Sequence, residues 1–104
     1  MNTTAIELVI FKTKPNVSPE ILKEAIHKTT PVLAQIDGFL DRELSLTETG
    51  EEWVDIVHWK NMELAKKAVD IFMNTPECQE LVSLMQESYS MRHLNSMLYA
   101  KKNQ

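Results

Sequence analysis

The sequence is poor in the residues that build disulfides, metal sites and phosphate loops: it has one cysteine, Cys78, and two glycines, Gly38 and Gly50, in 104 residues. One thiol cannot close an internal disulfide, and no Cys/His spacing suggests structural zinc, so a reducing compartment is expected and metal is not. Glycines placed singly in separate turns cannot form a glycine-rich phosphate loop, which excludes nucleotide-cofactor binding of that kind. Positive charge is also short. With 11 Lys and Arg against 15 Asp and Glu, the formal net charge is −4, and no basic patch offers a footprint for a phosphate backbone or an anionic membrane. Neither nucleic acid nor membrane is expected as a partner. No stretch approaches the ~20 apolar residues that span a bilayer. Met1-Asn2-Thr3-Thr4 carries neither a basic opening nor a long apolar run, so a cytoplasmic protein is expected.

What is present is ordinary globular material, 43% hydrophobic and 25% charged. The length suits one core, so residues 1–104 are read as a single domain. In residues 5–12, Ile6, Leu8 and Ile10 alternate with Glu7, Val9 and Phe11, a strand apolar on both faces but for Glu7. Ser18-Pro19-Glu20 is a helix start, with a hydroxyl acceptor, proline in the first turn and a carboxylate at the positive dipole end. Leu22, Ala25, Ile26, Leu33 and Ile36 then recur at helical steps. Pro31 lies inside that pattern and predicts a kink near residues 27–30 before Gly38 ends the element.

Residues 39–47 alternate again, with Leu40, Leu44 and Leu46 on one face and Asp41, Glu43, Ser45 and Thr47 on the other. A polar turn around Gly50 leads into a third strand, residues 53–59. Asn61 caps a second helix, and Thr75-Pro76-Glu77 repeats the start signal, so two helical segments should meet near Asn74. Residues 89–99 read as a long last strand, and residues 101–104 should fray. The order β-α-β-β-α-β is that of an α+β ferredoxin-like fold, a four-stranded antiparallel sheet with its helices on one side.

Helices covering Ile6, Leu8, Ile10, Leu40, Leu44, Ile56 and Leu98 would leave Val9, Phe11, Trp53, Val57, Trp59, Met91 and Met97 in water. One bulge exchanges the two sets beyond it, but both faces stay apolar. A homodimer through the free sheet face is therefore expected.

The segments IELVIFKTKP, IDGFLDRELS, VDIVHWKNMELAKKA, NTPECQEL and MRHLNSM carry a resemblance over nearly the whole chain. It resembles the dimeric α/β-barrel proteins, especially the antibiotic-biosynthesis-monooxygenase-like branch. The resemblance implies a two-fold dimer whose sheets pack as a barrel, and a pocket between sheet and helices that relatives use for polycyclic phenols, quinols or haem. Haem-degrading members carry an Asn on the first strand and a Trp and a His in the second helical region. Here the first strand has no Asn, and residues 65–87 hold neither Trp nor His, so haem degradation of that type is not expected, and no cofactor is.

Glu7 is the ionisable residue of an apolar strand, either a proton acceptor raised by burial or a carboxylate paired with Arg42 or Arg92. His58 and His93 are imidazoles on strands, suited to move a proton or to make one core hydrogen bond. Arg92 can hold a substrate oxyanion or neutralise Glu7 or Asp55. Trp59, Phe11 and Phe72 can wall a planar ligand or simply pack. Cys78 reads as a buried, inert thiol. The expected function is a cofactor-independent monooxygenase-like enzyme for a small aromatic or hydrophobic metabolite, with Glu7, His58 or His93 as base. The alternative is a non-catalytic homodimer that binds a hydrophobic small molecule or serves a stress role. RNA-recognition domains share the strand order, but their aromatic pattern is missing from WVDIVHWK.

Overall fold

The computed structural model describes residues 3–102. Along it run β1 (Ala5–Phe11), α1 (Pro19–Ala34), β2 (Phe39–Leu46), β3 (Trp53–Trp59), α2 (Met62–Met73), α3 (Pro76–Ser83) and β4 (Ser90–Asn95). The strands form one antiparallel sheet in the order β2-β3-β1-β4, the α+β ferredoxin-like arrangement expected from the element order.

Helix starts follow the local chemistry. Ser18 Oγ accepts from the Ile21 amide at 3.2 Å ahead of Pro19, and Asn61 Oδ1 accepts from the Leu64 amide at 2.9 Å. Thr75 behaves differently. Its hydroxyl donates back to the Ile71 carbonyl at 2.6 Å, closing α2 rather than capping α3. The helix α1 continues through Pro31 to Ala34. Gly38 turns the chain into β2 at φ +93°, and a Cβ there would stand 2.8 Å from Leu64 Cβ, so glycine is required by both conformation and space.

In β1 and β3 the sheet presents its faces the other way round from the sequence reading. The helices cover Ala5, Glu7, Val9 and Phe11 of β1 and Trp53, Asp55, Val57 and Trp59 of β3, which pair in register. Ile6, Leu8, Ile10, Val54 and Ile56 lie on the open face, half-buried in the single chain. The physical reason is size: the large aromatic side chains are the ones that fill the space beneath α1, α2 and α3. They form two adjoining clusters. In one, Phe11 and Trp53 meet Leu22, Ile26, Leu81 and Met85. In the other, Val57 and Trp59 meet Leu33, Ala65 and Ala68.

A register shift between Phe39 and Asp41 corrects the place read for Leu40 in β2. Leu40 is the extra residue and is half exposed, so Arg42 and Leu44 turn inward while Asp41 and Glu43 turn outward. The last strand is also shorter than expected. β4 pairs with β1 alone, and Asn95 already stands opposite Ala5, the first residue of β1. Beyond it no strand is available to pair, and Met97, Leu98 and Tyr99 are 86%, 89% and 71% exposed. The expected fraying of residues 101–104 falls in part on residues 103 and 104, outside the described residues.

Candidate functional site

Between the sheet and the helices lies a cavity of about 50 Å3 whose walls are mainly apolar. Its floor is the covered sheet face, with Glu7, Val9 and Phe11 from β1, Asp55, Val57 and Trp59 from β3 and Arg42 from β2. Phe72 and Met73 of α2 and Leu81 and Val82 of α3 form the roof, and Tyr89 and Met91 stand at the β4 side. Three polar features break the apolar lining.

The first is a pair between Glu7 and His93. Cross-strand register sets them opposite each other on β1 and β4, and His93 Nε2 lies 3.3 Å from Glu7 Oε1. Both side chains are largely buried, at 16% and 17% exposure. Burial pushes the Glu7 carboxyl above its ordinary value of 4.5. The attraction and hydrogen bond of His93 pull it back in part; Asp55 adds to the rise and Arg42 opposes it. A carboxyl so placed takes up a proton more readily than an exposed one.

The second is a closed ion-pair network. Arg42 donates from Nε to Asp55 Oδ1 at 3.0 Å and from Nη2 to Asp55 Oδ2 at 2.7 Å. Its remaining nitrogen, Nη1, donates to Thr29 Oγ1 at 2.7 Å, to Thr30 Oγ1 at 3.2 Å and to the Ile26 carbonyl at 3.3 Å. This pins β2 to α1 and leaves the guanidinium little capacity for a ligand.

The third is Trp59. Its ring is fully buried and packs edge-on against Phe39 at 5.8 Å, and its indole Nε1 is buried with no acceptor among the described residues. Such a donor is costly, by about 1–3 kcal/mol, unless something supplies an oxygen to it.

Of the residues singled out from the sequence, Glu7, Trp59, Phe11 and Phe72 line this one cavity, and His93 reaches it through Glu7. Arg92 and His58 do not. Arg92 stands opposite Leu8 on the open face, where His58 binds Asp41 at 2.6 Å, so neither can act beside Glu7. Arg42 and Asp55 enter the site instead. Alternation in β2 groups Arg42 with Leu40 and Leu44, on the face the sequence reading gave to the helices, but it does not reveal that Asp55 and the α1 hydroxyls occupy the guanidinium. Cys78 is buried, and burial pushes its thiol up, so it is a poor nucleophile. Among the described residues, no group of three or more His, Cys, Asp and Glu is placed to hold a metal ion, and no helix is long and apolar enough to cross a membrane.

No family model matches the sequence, and no curated protein matches it. Solved structures do. A cofactor-independent oxygenase from Streptomyces nogalater, SnoaB, is similar over 93% of this chain and 96% of its own, with a TM-score of 0.78 and 14% identity. A candidate antibiotic biosynthesis monooxygenase from Nitrosomonas europaea is similar over 93% of each chain, with a TM-score of 0.73 and 13% identity. The protein Rv0793 from Mycobacterium tuberculosis is similar over 95% of this chain and all of its own (100%), with a TM-score of 0.70 and 14% identity. At such identities the likeness is one of fold, and the chain has the ferredoxin-like fold of the antibiotic-biosynthesis-monooxygenase-like proteins.

Proposed function

We propose that the protein is a cofactor-independent monooxygenase-like enzyme acting on a small phenolic or quinol-type molecule, and that it works as a homodimer. The observation that carries this reading is that Trp59, whose buried Nε1 has no acceptor among the described residues, and Glu7, whose carboxyl is raised by burial, line the same apolar cavity. A phenol supplies what both groups lack: an oxygen for the indole N–H and a proton for Glu7.

In this reading Glu7, steadied by His93, takes the phenolic proton, and the Trp59 N–H holds the resulting phenolate oxygen. The electron-rich ring reacts with dioxygen, forming a carbon–oxygen bond, and the peroxy oxygen collects the proton that Glu7 held. Loss of water, which removes the ring hydrogen from the same carbon, gives a quinone. One oxygen atom enters the product and the other leaves as water, with the substrate supplying every electron. The apolar walls keep bulk water from the charged intermediates. Substrate entry requires movement. The cavity is about a third of the ~150 Å3 that accepts benzene in an engineered apolar cavity, and the flexible Met73 and Met91 at its rim, 42% and 38% exposed, can give way.

The names of the similar solved structures support the reaction class, and the open sheet face supports the dimer. The test is a panel of phenols and quinols with oxygen uptake as the readout, for the wild type and Glu7→Gln. Uptake that needs both substrate and Glu7 upholds the proposal, whereas turnover unchanged in Glu7→Gln overturns Glu7 as the base. Tight binding without oxygen uptake favours the second reading, a non-catalytic binder of a hydrophobic metabolite, to which the mainly apolar walls already lend support.

A further inference from the structure

The charged side chains in the cavity wall are Glu7, Asp55 and Arg42, two acids and one base. The base is occupied. Asp55 takes Nε and Nη2 of Arg42 in a bidentate pair, and Nη1 is shared among Thr29, Thr30 and the Ile26 carbonyl, so only a single Nη2 hydrogen is left over. His93 turns its Nε2 to Glu7 and does not line the wall itself. A ligand in this cavity therefore meets no unpaired cation among the described residues. The approach disfavours an anion as well. Residues 76–91 supply Leu81, Val82, Met85, Tyr89 and Met91 to the wall, and that stretch holds Glu77, Glu80 and Glu87 but no Lys, Arg or His. Of these three acids, Glu80 meets Lys28 of α1.

An arginine in an aromatic-walled cavity is suited to receive an aromatic carboxylate, because its planar fork matches the two oxygens. Here a carboxylate of the chain already sits in that fork. In the register Asp55 stands opposite Leu44, one diagonal step from Arg42, which stands opposite Val57, and the α1 hydroxyls fix the guanidinium from the other side. A ligand carboxylate has two options, both costly. Displacing Asp55 leaves the Asp55 charge buried and unpaired, and lying elsewhere against the wall buries the ligand charge unpaired near Glu7. A phenolic hydroxyl meets neither cost. Its proton passes to Glu7, so the transfer leaves the net charge of the cavity unchanged.

We propose that Asp55 serves as a built-in anion that occupies Arg42 and so restricts the cavity to phenols without an acidic substituent, shutting out phenolic carboxylates. This rests on the preceding section in taking the cavity as the substrate site, and it adds a residue that determines specificity. Asp55 acts through Arg42 rather than on the reacting atoms. Its removal should therefore change which ligand is preferred, which the loss of a merely structural ion pair would not do.

Calorimetric titration of the full chain with para-nitrophenol and para-hydroxybenzoate tests it. Nitro and carboxylate groups share a planar outline, and at mildly acid pH the nitrophenol is largely neutral while the carboxylate is ionised, so charge separates the two probes. The wild type is expected to bind para-nitrophenol on the order of a hundredfold more tightly. Asp55→Ala vacates the fork and should reverse that preference. Asp55→Asn keeps the volume and removes only the charge, and should gain roughly tenfold in affinity for para-hydroxybenzoate. Both variants lose stability, so thermal melts accompany the titrations: para-hydroxybenzoate should raise the melting temperature of Asp55→Ala, since a ligand that refills the fork binds the folded chain alone. Equal affinity of the wild type for the two probes overturns the proposal, as does a discrimination that neither variant relaxes. The expected selectivity without oxygen uptake upholds it and overturns the monooxygenase reading, whereas a wild type that binds neither probe overturns both.

Discussion

Arg42 and Asp55 meet in a two-point ion pair across β2 and β3, with Nε–Oδ1 at 3.0 Å, Nη2–Oδ2 at 2.7 Å and side chains only 4% and 12% exposed. Removing one partner strands the other charge in the core. Arg42→Met or Asp55→Asn should each cost about 3–5 kcal/mol, whereas Arg42→Met combined with Asp55→Leu should cost far less than the sum. Arg42→Met also frees Thr29 Oγ1, which is fully buried but keeps its own bond to the Ile26 carbonyl. Urea denaturation of the single and double variants checks this, and additive losses would mean that the pair is not coupled.

Gly38 and Leu64 stand in a closer relation than any side chain at position 38 allows. Gly38→Ala places a Cβ 2.7 Å from Leu64 Cδ1 and 2.8 Å from its Cβ, at a φ of +93°. The conformation alone should cost about 1–3 kcal/mol. Leu64→Ala removes the Cδ1 contact but leaves the Cβ contact and the strained φ. In that background the glycine substitution should cost less, yet still destabilise. Thermal melts of the four proteins separate the two contributions. An alanine that costs nothing in either background would sink the account.

These two relations also mark where the sequence was readable. The element order, the helix starts at Ser18 and Asn61 and the break at Asn74 were legible, because each depends on residues within one turn of one another. The faces of the sheet were not. Ile6, Leu8 and Ile10 are as apolar as Val9 and Phe11, so alternation in β1 specifies two faces without saying which one the helices take. In β2 the alternation put Leu40, Arg42 and Leu44 on one face; the extra residue Leu40 leaves that face while Arg42 and Leu44 stay beneath the helices, and the network that Arg42 centres depends on contacts with β3 and α1 that alternation does not encode. Within the site, Glu7, Trp59, Phe11 and Phe72 were legible as types suited to a pocket. That His58 and Arg92 would stand on the far side of the same sheet was not, because it follows from that same choice of face.

Glu7 gives stability a pH dependence of definite sign. Its native carboxyl is raised above 4.5 by burial, while in the unfolded chain it titrates near that ordinary value. Between the two values the native protein binds a proton that the unfolded chain has released. The associated stability is present below about 4.5 and is lost as pH rises through the raised native value. The groups facing Glu7 are His93, Asp55 and Arg42, with Tyr89 at the cavity edge and no charged side chain among the α2 and α3 residues lining the cavity. Glu7→Gln keeps the shape and removes the titration. Its melting temperature should match the wild type at the acid end and exceed it progressively as pH rises towards neutrality. A difference that is flat with pH, or of the opposite sign, would count against a raised Glu7.

Trp59 separates packing from ligand recognition. If its buried indole served packing alone, Trp59→Phe would behave as an ordinary trimming of the core. The phenyl ring keeps an aromatic edge against Phe39, yet it loses volume, and truncation of a buried side chain normally destabilises. The unpaired Nε1–H alters that balance, because the substitution also deletes a buried donor without an acceptor, whose burial costs about 1–3 kcal/mol. The two effects oppose each other, so Trp59→Phe should unfold within about 1 kcal/mol of the wild type. Binding should respond differently. With para-nitrophenol as the probe, loss of the indole donor should weaken affinity by roughly tenfold, the worth of one hydrogen bond to an ionised oxygen. Calorimetric titration measures the binding and urea denaturation the stability. A variant that loses stability like a core truncation and binds the phenol as the wild type does would reduce Trp59 to a packing residue and leave the cavity without its anchor.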